Sequence, residues 1–319
     1  MAAEPDEIRD GVPLTHLDQP VFGGESVTKR RLVDYLDAVA DRIVPALAGR
    51  PLSVVRARGD QRFMQKNVPK GAPEWLRTVT FWSDSSQRDV HYALCDDRAT
   101  LLWFANQRAI EYHVPLTLAD APRTPTDLVL DLDPPEGGDF RTVADAARLV
   151  RTVLDEVGLR AAVKTSGAKG LHVVTPLLSH SFDDVAAATR AVASRAERLD
   201  PDLATTAYIR ADRDGKVFLD STRAGGATVV SVYSPRVRPG LPVSFPVGWD
   251  ELDAVVPSRI TVATALERLG AADPWRDSLP EPATLPADLV AEGRTIPVAR
   301  VAAMHEGKRR KRTGRSTES

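Results

Sequence analysis

Two aspartates one residue apart, Asp131 and Asp133, are the side chains whose type and spacing most directly suggest chemistry. They end the apolar run 128–130 and precede two prolines, which cannot donate hydrogen bonds to a sheet. A strand here would place residues i and i+2 on one face, so both carboxylates would project together. Two close carboxylates repel each other unless a cation neutralises them, most simply a divalent one with oxygen ligands. The motif alone equally allows an exposed strand end with two solvated acids.

A second polar segment, residues 165–172 (TSGAKGLH), has a composition that suits phosphate binding. Its two glycines allow backbone N–H groups to converge on an anion, and Lys169 adds a positive charge. The spacing differs from that of a Walker P-loop, and a plain turn is the alternative. A third aspartate, Asp220, ends the predicted strand 216–220.

The elements that must position these residues are a mixture of strands and amphipathic helices. Thr28 is the predicted N-cap of a helix over 28–47, and Gly158 the predicted C-cap after a helix over 140–157. The other predicted helices are 99–106, 183–198, 249–255 and 259–268. The other predicted strands are 52–56, 78–82, 90–95, 161–164, 173–176 and 227–233. The last of these is interpreted as the hairpin partner of 216–220.

This order of elements predicts an α+β or mixed α/β fold, with central mixed sheets flanked by helices, and argues against a TIM barrel. We expect residues 1–12 to be disordered and residues 13–272 to form the catalytic domain. Residues 273–319 are first proline-rich and then basic. We expect that tail to be largely disordered or to wrap around the domain.

Charge and cysteine content bound the class of protein. The net charge is −2, but residues 301–319 hold six basic and two acidic residues, a net of +4, which leaves −6 for residues 1–300. Such a tail suits non-specific contact with nucleic acid or serves only solubility. One cysteine, Cys95, excludes an internal disulfide and a cysteine zinc cluster, which is typical of a reducing cytoplasm. The acidic start predicts no signal peptide, and no apolar run is long enough for a membrane span.

Three further positions allow both a functional and a structural interpretation. Lys29 lies in the first turn of the predicted helix, where the helix dipole disfavours cations, so an anionic partner or a solvated end would relieve the conflict. Phe63, among basic residues, suits stacking on a nucleic-acid base, although a lone phenylalanine is more often in a core. His113, in an apolar setting, is by itself more typical of a hydrogen-bonded structural histidine.

Taken together, these segments resemble the polymerase domain of bacterial ATP-dependent DNA ligase D, a member of the archaeo-eukaryotic primase superfamily. The resemblance runs from about residue 14 to residue 269. It is carried, in order, by the segments VTKRRLVDYL, FMQKN, IEYH, LVLDLDPP, TSGAKGLHV, KVFLD and YSPRVRPG. Several independent motifs in one order make it specific, whereas none of them would do so alone. It implies an archaeo-eukaryotic primase-like catalytic core.

The resemblance also implies template-directed nucleotidyl transfer by two divalent ions, Mg²⁺ or Mn²⁺, with a ribo- or deoxyribonucleoside triphosphate as substrate. Three residues match the family's metal-binding carboxylates: Asp131, Asp133 and Asp220. Seven match its nucleotide-binding positions: Lys66, His113, Ser166, Lys169, Gly170, His172 and Arg236. Three are expected to contact DNA: Lys29, Phe63 and Arg223. Ribonucleotide preference and a preference for Mn²⁺ are further implications of the resemblance.

The chain departs from the family pattern at three places. Gln19 stands where the family usually has a lysine that helps to recognise the 5′-phosphate of the downstream strand. This replacement weakens the expectation that the chain recognises a 5′-phosphate, although Lys29 matches a second basic position of the family. Met64 replaces an aromatic residue beside Phe63, and Ala224 replaces an asparagine after Arg223. None of these changes removes a predicted metal ligand.

We therefore predict a stand-alone, monomeric primase-polymerase that extends primers and fills short gaps in end joining or excision repair. Its expected partners are primed, gapped or broken duplex DNA, Ku and a separate ATP-dependent ligase, since no ligase KxDG motif is found; no membrane partner is expected. Two alternatives remain open: a de novo primase, which would not need a primer 3′-hydroxyl, and an inert DNA-end scaffold that recruits a ligase.

Overall fold

The computed structural model describes residues 4–59, 61–83 and 87–298. The predicted basic tail after residue 300 lies outside the described residues. The strands are β1 (Glu7–Arg9), β2 (Val12–Leu14), β3 (Pro51–Arg58), β4 (Gln61–Gln65), β5 (Thr78–Ser83), β6 (Arg88–Leu94), β7 (Ala109–Val114), β8 (Asp127–Asp133), β9 (Ala162–Thr165), β10 (Leu171–Pro176), β11 (Ala204–Thr205), β12 (Val217–Asp220), β13 (Val229–Val230) and β14 (Pro246–Val247).

The helices follow from their caps and their apolar spacing. They are α1 (Lys29–Ala38), α2 (Ala40–Leu47), α3 (Arg98–Asn106), α4 (Phe140–Glu156), α5 (Phe182–Leu199), α6 (Ala265–Leu269), α7 (Pro274–Ser278) and α8 (Ala287–Thr295). Thr28, Asp97, Asp139 and Ser181 cap α1, α3, α4 and α5, each accepting a hydrogen bond from a backbone N–H of the first turn. The helix predicted over 28–47 is divided at Val39 into α1 and α2.

The chain divides into two compact units. The first unit comprises residues 1–122, 164–169 and 228–278. Its sheet has the order β13-β7-β3-β6-β5, with β4 also paired to β3, and its strand pairs are antiparallel. Helices α1 and α3 pack against each other. Strand β7 is buried along its whole length, so side chains on both of its faces lie inside the unit.

The second unit comprises residues 123–163, 170–227 and 279–319. Within it, β8 lies between β10 and β12 in antiparallel pairing, and β11 pairs parallel to β12. Helices α4 and α5 pack against this sheet and against each other. The apolar residues of α4 recur at helical spacing, because one face must be buried on the strands. The chain leaves this unit within β9 and returns to it after Lys169.

Three local predictions are wrong. Residues 7–12 are ordered rather than disordered, since β1 and β2 pair and Val12 is buried. Asp6 fixes this segment further by accepting a hydrogen bond from the backbone N–H of Leu17 at 2.7 Å. The segment 227–233 is not the hairpin partner of β12, because β13 pairs with β7 in the first unit. Residues 249–255 form turns instead of a helix.

Helix α8, in the described part of the segment after residue 278, packs against α5. Helix α8 packs on α5 so closely that a Cβ atom on Gly293 would lie 1.8 Å from the carbonyl oxygen of Ala187. Glu292 forms ion pairs with Arg195 and Arg198 of α5 at 2.6 and 2.9 Å. Part of the predicted tail, residues 279–298, is therefore packed chain. Within the described part of the chain, no helix combines the length and the apolar character that a membrane crossing requires.

Candidate active site

Three polar residues stand in one row across the middle of the second unit's sheet. In the strand register, Asp131 of β8 is opposite His172 of β10 on one side and opposite Asp220 of β12 on the other. Directly opposed residues project from the same face, so the three side chains share one surface. His172 Nε2 lies 3.3 Å from Asp131 Oδ1. All three are buried, with 3%, 8% and 6% of the surface of His172, Asp131 and Asp220 exposed.

Arg223 connects the two carboxylates of this row. Its Nη2 donates to Asp131 Oδ2 at 2.7 Å and lies 3.1 Å from Asp220 Oδ2. Asp220 Oδ1 accepts from the backbone N–H and the hydroxyl of Thr222, at 2.8 and 2.6 Å. Although burial alone would lower the pKa of Arg223, the nearby aspartate charges raise it. The guanidinium is therefore a permanent cation between two buried acids.

Asp133 is two residues beyond Asp131 on the same face and carries less compensation. Burial first, and then the charge of Asp131, raise the pKa of Asp133 to about 6. Arg223 and, to a smaller extent, Arg213 act in the opposite direction, since their charges favour the ionised carboxylate. The guanidinium of Arg213 lies 3.7 Å from the ring centroid of Phe218, the cross-strand neighbour of Asp133, and it donates to two backbone carbonyls. We define Asp131, Asp133 and Asp220 as the carboxylate cluster.

The chemistry of the carboxylate cluster fits an oxygen-preferring divalent cation. It combines carboxylate oxygens only, and burial together with the charge of Asp131 disfavours the ionised form of Asp133, which a further cation would stabilise. Within the described ranges, however, no group of three His, Cys, Asp or Glu side chains is arranged to hold a metal ion. Arg223 bridges Asp131 and Asp220 instead. The metal role of the three aspartates stays a prediction.

A second cluster lies in the first unit and is organised by one buried acid, Glu111 of β7. Its Oε2 lies 2.8 Å from His113 Nε2 and 3.1 Å from Arg236 Nε, and its Oε1 accepts from the backbone N–H of Val237 at 2.8 Å. Burial by itself raises the pKa of Glu111, but the hydrogen bond from His113 and the charge of Arg236 outweigh it and lower the value to about 2. An ionised carboxylate can only accept, so His113 Nε2 must carry a proton and Nδ1 is left for other contacts.

Arg236 also fixes the glycine-containing turn. Its Nη1 donates to the carbonyl oxygen of Ser166 at 2.6 Å, and Ser166 Oγ accepts from the backbone N–H of Ala168 at 3.3 Å. Gly167 has φ +68°, and a Cβ atom there would lie 2.7 Å from both Arg236 Cγ and the backbone nitrogen of Ser244. No other residue fits this position without displacing backbone. We define Glu111, His113, Arg236 and Ser166 as the Glu111 cluster.

The remaining predicted nucleotide-binding residues do not belong to the Glu111 cluster. Lys66, just after β4, and Lys169 are exposed side chains of the first unit. Gly170 and His172 belong to the second unit, so the TSGAKGLH segment is divided between the units after Lys169. The structure thus brings His113, Arg236 and Ser166 of the predicted set together within one unit.

Lys29 is buried rather than solvated, with 3% of its surface exposed. Its Nζ donates to the carbonyl oxygen of Thr15 at 2.5 Å. Burial and the charge of Arg108 lower the pKa of Lys29 to about 8. Arg108 donates in turn to the side-chain oxygen of Gln19. Two cations are therefore held close together around Gln19, an arrangement that an anion would stabilise.

The other predicted DNA contacts differ in exposure. Phe63 is 41% exposed on β4, and the guanidinium of Arg56 lies 5.6 Å from its ring centroid, within cation–π range. Met64 beside it is also exposed. Arg223 is engaged with the carboxylate cluster, as described above. The exposure of Phe63 agrees with the stacking hypothesis and leaves its DNA contact a prediction.

Comparison with solved structures defines the class of fold. The chain is similar to the polymerase domain of Mycobacterium tuberculosis ligase D, solved in complex with DNA, with a TM-score of 0.76 and 33% sequence identity. The match covers 88% of this chain and 98% of that one. The fold is thus of the archaeo-eukaryotic primase-like type, which confirms the predicted fold class.

Sequence comparison defines the family. Residues 28–275 match the family model of the LigD primase-polymerase domain. The chain is 32% identical over 263 residues to the bifunctional non-homologous end joining protein LigD of Bacillus subtilis, and 35% identical over 271 residues to the multifunctional LigD of M. tuberculosis. These matches cover 80% and 81% of this chain but 42% and 35% of the relatives. The chain belongs to the LigD primase-polymerase domain family, as its motifs predicted.

Sequence reasoning missed three residues: Glu111 of the Glu111 cluster, Arg213 near the carboxylate cluster, and Arg108 beside Lys29. Glu111 precedes His113 by two positions, so strand periodicity alone would have placed both side chains on one face. Arg213 and Arg108 lie in irregular segments, and no local pattern indicates their partners.

Proposed function

We propose that this protein is a template-directed nucleotidyltransferase that extends a primer on DNA and fills short gaps during end joining of broken DNA, favouring ribonucleotides. The observation that supports this most is the row of His172, Asp131 and Asp220 across three neighbouring strands. Family membership and the likeness to a polymerase domain solved with DNA support DNA as the partner. The curated relatives are named for non-homologous end joining, which supports the repair context.

In this proposal, Asp131, Asp133 and Asp220 hold Mg²⁺ or Mn²⁺, two ions in the active state. The ions supply charge neutralisation at the triphosphate and activation of the primer 3′-hydroxyl. His172 contacts Asp131 Oδ1 and restrains the orientation of that carboxylate. Arg213 keeps positive charge near Asp133 and favours its ionised form. The carboxylates are thereby kept in the charge state that metal binding requires.

The Glu111 cluster binds the triphosphate of the incoming nucleotide. Arg236 and His113 supply donors, and Glu111 holds both of them without leaving its own negative charge uncompensated. Ser166 and Lys169 add a hydroxyl and an ammonium group from the turn, and Lys66 adds a second exposed ammonium. Charge-assisted hydrogen bonds of this kind are the strong contacts for phosphate oxygens.

The pair of Lys29 and Arg108 receives the 5′-phosphate of the downstream strand. Gln19 has lost the charge of the family's lysine, and Arg108, which donates to Gln19, restores a cation at that place. Phe63 stacks on a template base. Ku and a separate DNA ligase are the protein partners in this scheme.

The proposal is tested by primer extension on DNA with a short gap. The reaction contains Mn²⁺ and either ribo- or deoxyribonucleoside triphosphates, and the downstream strand carries a 5′-phosphate or a 5′-hydroxyl. We expect metal-dependent extension that is faster with ribonucleotides and with the 5′-phosphate. A reaction without a primer 3′-hydroxyl separates the polymerase from a de novo primase.

The Asp131→Ala/Asp133→Ala double variant is the negative control. Extension that survives this change would contradict the metal assignment. Absence of extension under every condition would contradict the proposed function and favour a DNA-end scaffold, which gel-shift binding to the same DNA would then detect.

A further inference from the structure

One nitrogen atom occupies the position between two carboxylates of neighbouring strands. Arg223 Nη2 lies 2.7 Å from Asp131 Oδ2 and 3.1 Å from Asp220 Oδ2. Asp131 and Asp220 are directly opposed in the register of β8 and β12, so their separation is set by the sheet and not by flexible loops. Both acids are at least nine-tenths buried. A cation that contacts one oxygen from each acid is placed as a shared counter-ion.

The surroundings of Arg223 indicate that this contact is electrostatic and not a general packing role. Its Nε is buried and has no hydrogen-bond partner, so the guanidinium is oriented by the two carboxylates at the cost of one unsatisfied donor. Arg213, the other arginine near the cluster, is instead held by two carbonyl oxygens and the ring of Phe218. The two arginines thus carry the same charge but contact different partners: Arg223 contacts two carboxylates, and Arg213 contacts two backbone carbonyls and an aromatic ring.

Buried carboxylates this close need a positive charge whether or not a metal ion is bound. A carboxylate oxygen that accepts a hydrogen bond from Arg223 is less available to a metal ion, because both interactions use lone pairs of the same oxygen. A divalent ion and the Arg223 guanidinium therefore compete for Asp131 Oδ2 and Asp220 Oδ2.

We propose that Arg223 is a built-in counter-cation of the carboxylate cluster, which stabilises the metal-free site and must move away when a divalent ion binds. Arg223 thereby weakens the apparent affinity for the metal and raises the stability of the metal-free protein against unfolding. This inference rests on the proposed metal-dependent function. It differs from the sequence-based expectation, in which Arg223 contacts DNA.

The test measures Mn²⁺ binding to the full chain in the absence of DNA and nucleotide, from the electron paramagnetic resonance signal of free Mn²⁺. We compare the unmodified protein with the Arg223→Gln and Arg213→Gln variants. A tenfold change in Kd corresponds to about 1.4 kcal/mol. We expect Arg223→Gln to lower the Kd for Mn²⁺ about tenfold, and Arg213→Gln to change it less, because Arg213 does not bridge the two acids.

Thermal unfolding separates this role from a merely structural one. In EDTA we expect Arg223→Gln to unfold at a lower temperature than the unmodified protein, and we expect saturating Mn²⁺ to abolish this difference. A structural role would lower the unfolding temperature equally with and without Mn²⁺. If Arg223→Gln does not fold in EDTA, both measurements are made on Arg223→Lys, which keeps the charge. We expect a smaller decrease in the Kd for Mn²⁺ in this variant.

An unchanged or higher Kd for Mn²⁺ in Arg223→Gln overturns the proposal, as does an unfolding temperature that Mn²⁺ does not restore. The Asp131→Asn variant distinguishes this failure from failure of the proposed function. If Asp131→Asn binds Mn²⁺ as tightly as the unmodified protein, the metal assignment itself is wrong and both proposals fall. If Asp131→Asn loses binding while Arg223→Gln does not gain it, only the counter-cation is rejected.

Discussion

The carboxylate cluster and the Glu111 cluster both include side chains of antiparallel strands, but they differ in the balance of acidic and basic groups. In each, acidic or basic side chains project from one face of paired antiparallel strands. The carboxylate cluster has three acids, with Arg223 as the bridging cation, and the pKa of Asp133 is raised. The Glu111 cluster has one acid contacted by His113 and Arg236, and the pKa of Glu111 is lowered to about 2. The first is therefore left with an excess of negative charge, whereas in the second the charges of Glu111 and Arg236 balance each other.

The largest effect is expected from removing one charge of the carboxylate cluster. Asp131→Asn keeps the shape of the side chain but removes the charge that contacts both His172 and Arg223. Metal-dependent charge stabilisation amounts to several kcal/mol, so we expect primer extension to fall about 10³-fold. Asp145→Asn, on the exposed ion pair with Arg148 of α4, is the matched control and should keep full activity. A loss of less than about tenfold in Asp131→Asn would contradict the assignment.

Removing the charge of Glu111 should act on nucleotide binding more than on turnover. Glu111→Gln keeps an acceptor for the N–H of Val237 but weakens the hold on His113 and Arg236. One charged hydrogen bond contributes about 1.5–3 kcal/mol, so we expect KM for the nucleotide to rise about tenfold with a smaller change in kcat. Steady-state kinetics measure both values. A fall in kcat with unchanged KM would contradict the positioning role, and substitution of an exposed acid of α6, Glu267→Gln, is the control.

The same variant should change how stability depends on pH. The pKa of Glu111 is about 2 in the folded protein and 4.5 for the free side chain, the reference for the unfolded chain. Its contribution to stability, about 3 kcal/mol, is therefore complete above pH 4.5 and is lost as the pH falls toward 2. Urea unfolding from pH 3 to pH 7 should show a difference between the unmodified protein and Glu111→Gln that shrinks on acidification. A difference that stays constant over this range would contradict the lowered pKa.

Neutralising Asp133 should stabilise the metal-free protein, whereas neutralising Glu111 should destabilise it. Because burial and Asp131 disfavour its charge, Asp133→Asn should stabilise the metal-free protein at pH 7 by about 1–3 kcal/mol, while impairing extension. Unfolding in EDTA measures the first effect and primer extension the second. Asp155→Asn on α4, where the acid pairs with Arg151 in an exposed position, should leave both unchanged. A destabilised Asp133→Asn variant would show that the cluster is not short of positive charge.

The smallest effect is expected at the Lys29 and Arg108 pair. Arg108→Gln removes the cation that contacts Gln19, so the preference for a 5′-phosphate over a 5′-hydroxyl should fall about threefold to tenfold. Extension on DNA without a downstream strand should not change. Arg88→Gln, at the exposed start of β6, is the control for general loss of positive charge. An unchanged phosphate preference would leave Arg108 without a role in this contact.

Local sequence patterns predicted much of this fold, because their physical causes are local. Thr28 caps α1 as predicted, and α4, α5 and most strands lie within one or two residues of their expected bounds. Asp131 and Asp133 share one strand, as their spacing required. The sequence did not predict the pairing of β13 with β7. Strand pairing depends on the tertiary arrangement of the strands, and the strand that precedes β13 in the sequence is not its partner.

By itself, the sequence determined the two acids on β8, the helix caps, the glycine turn and, through the order of its motifs, the family. Only the tertiary structure decided the environments of these groups. It placed Asp220 opposite Asp131, brought Val237 to Glu111 across 126 positions of the chain, and buried Lys29 beside Arg108. Spacing along a chain specifies which face a side chain takes, but charge balance and pKa depend on neighbours that strand register and packing bring from distant segments.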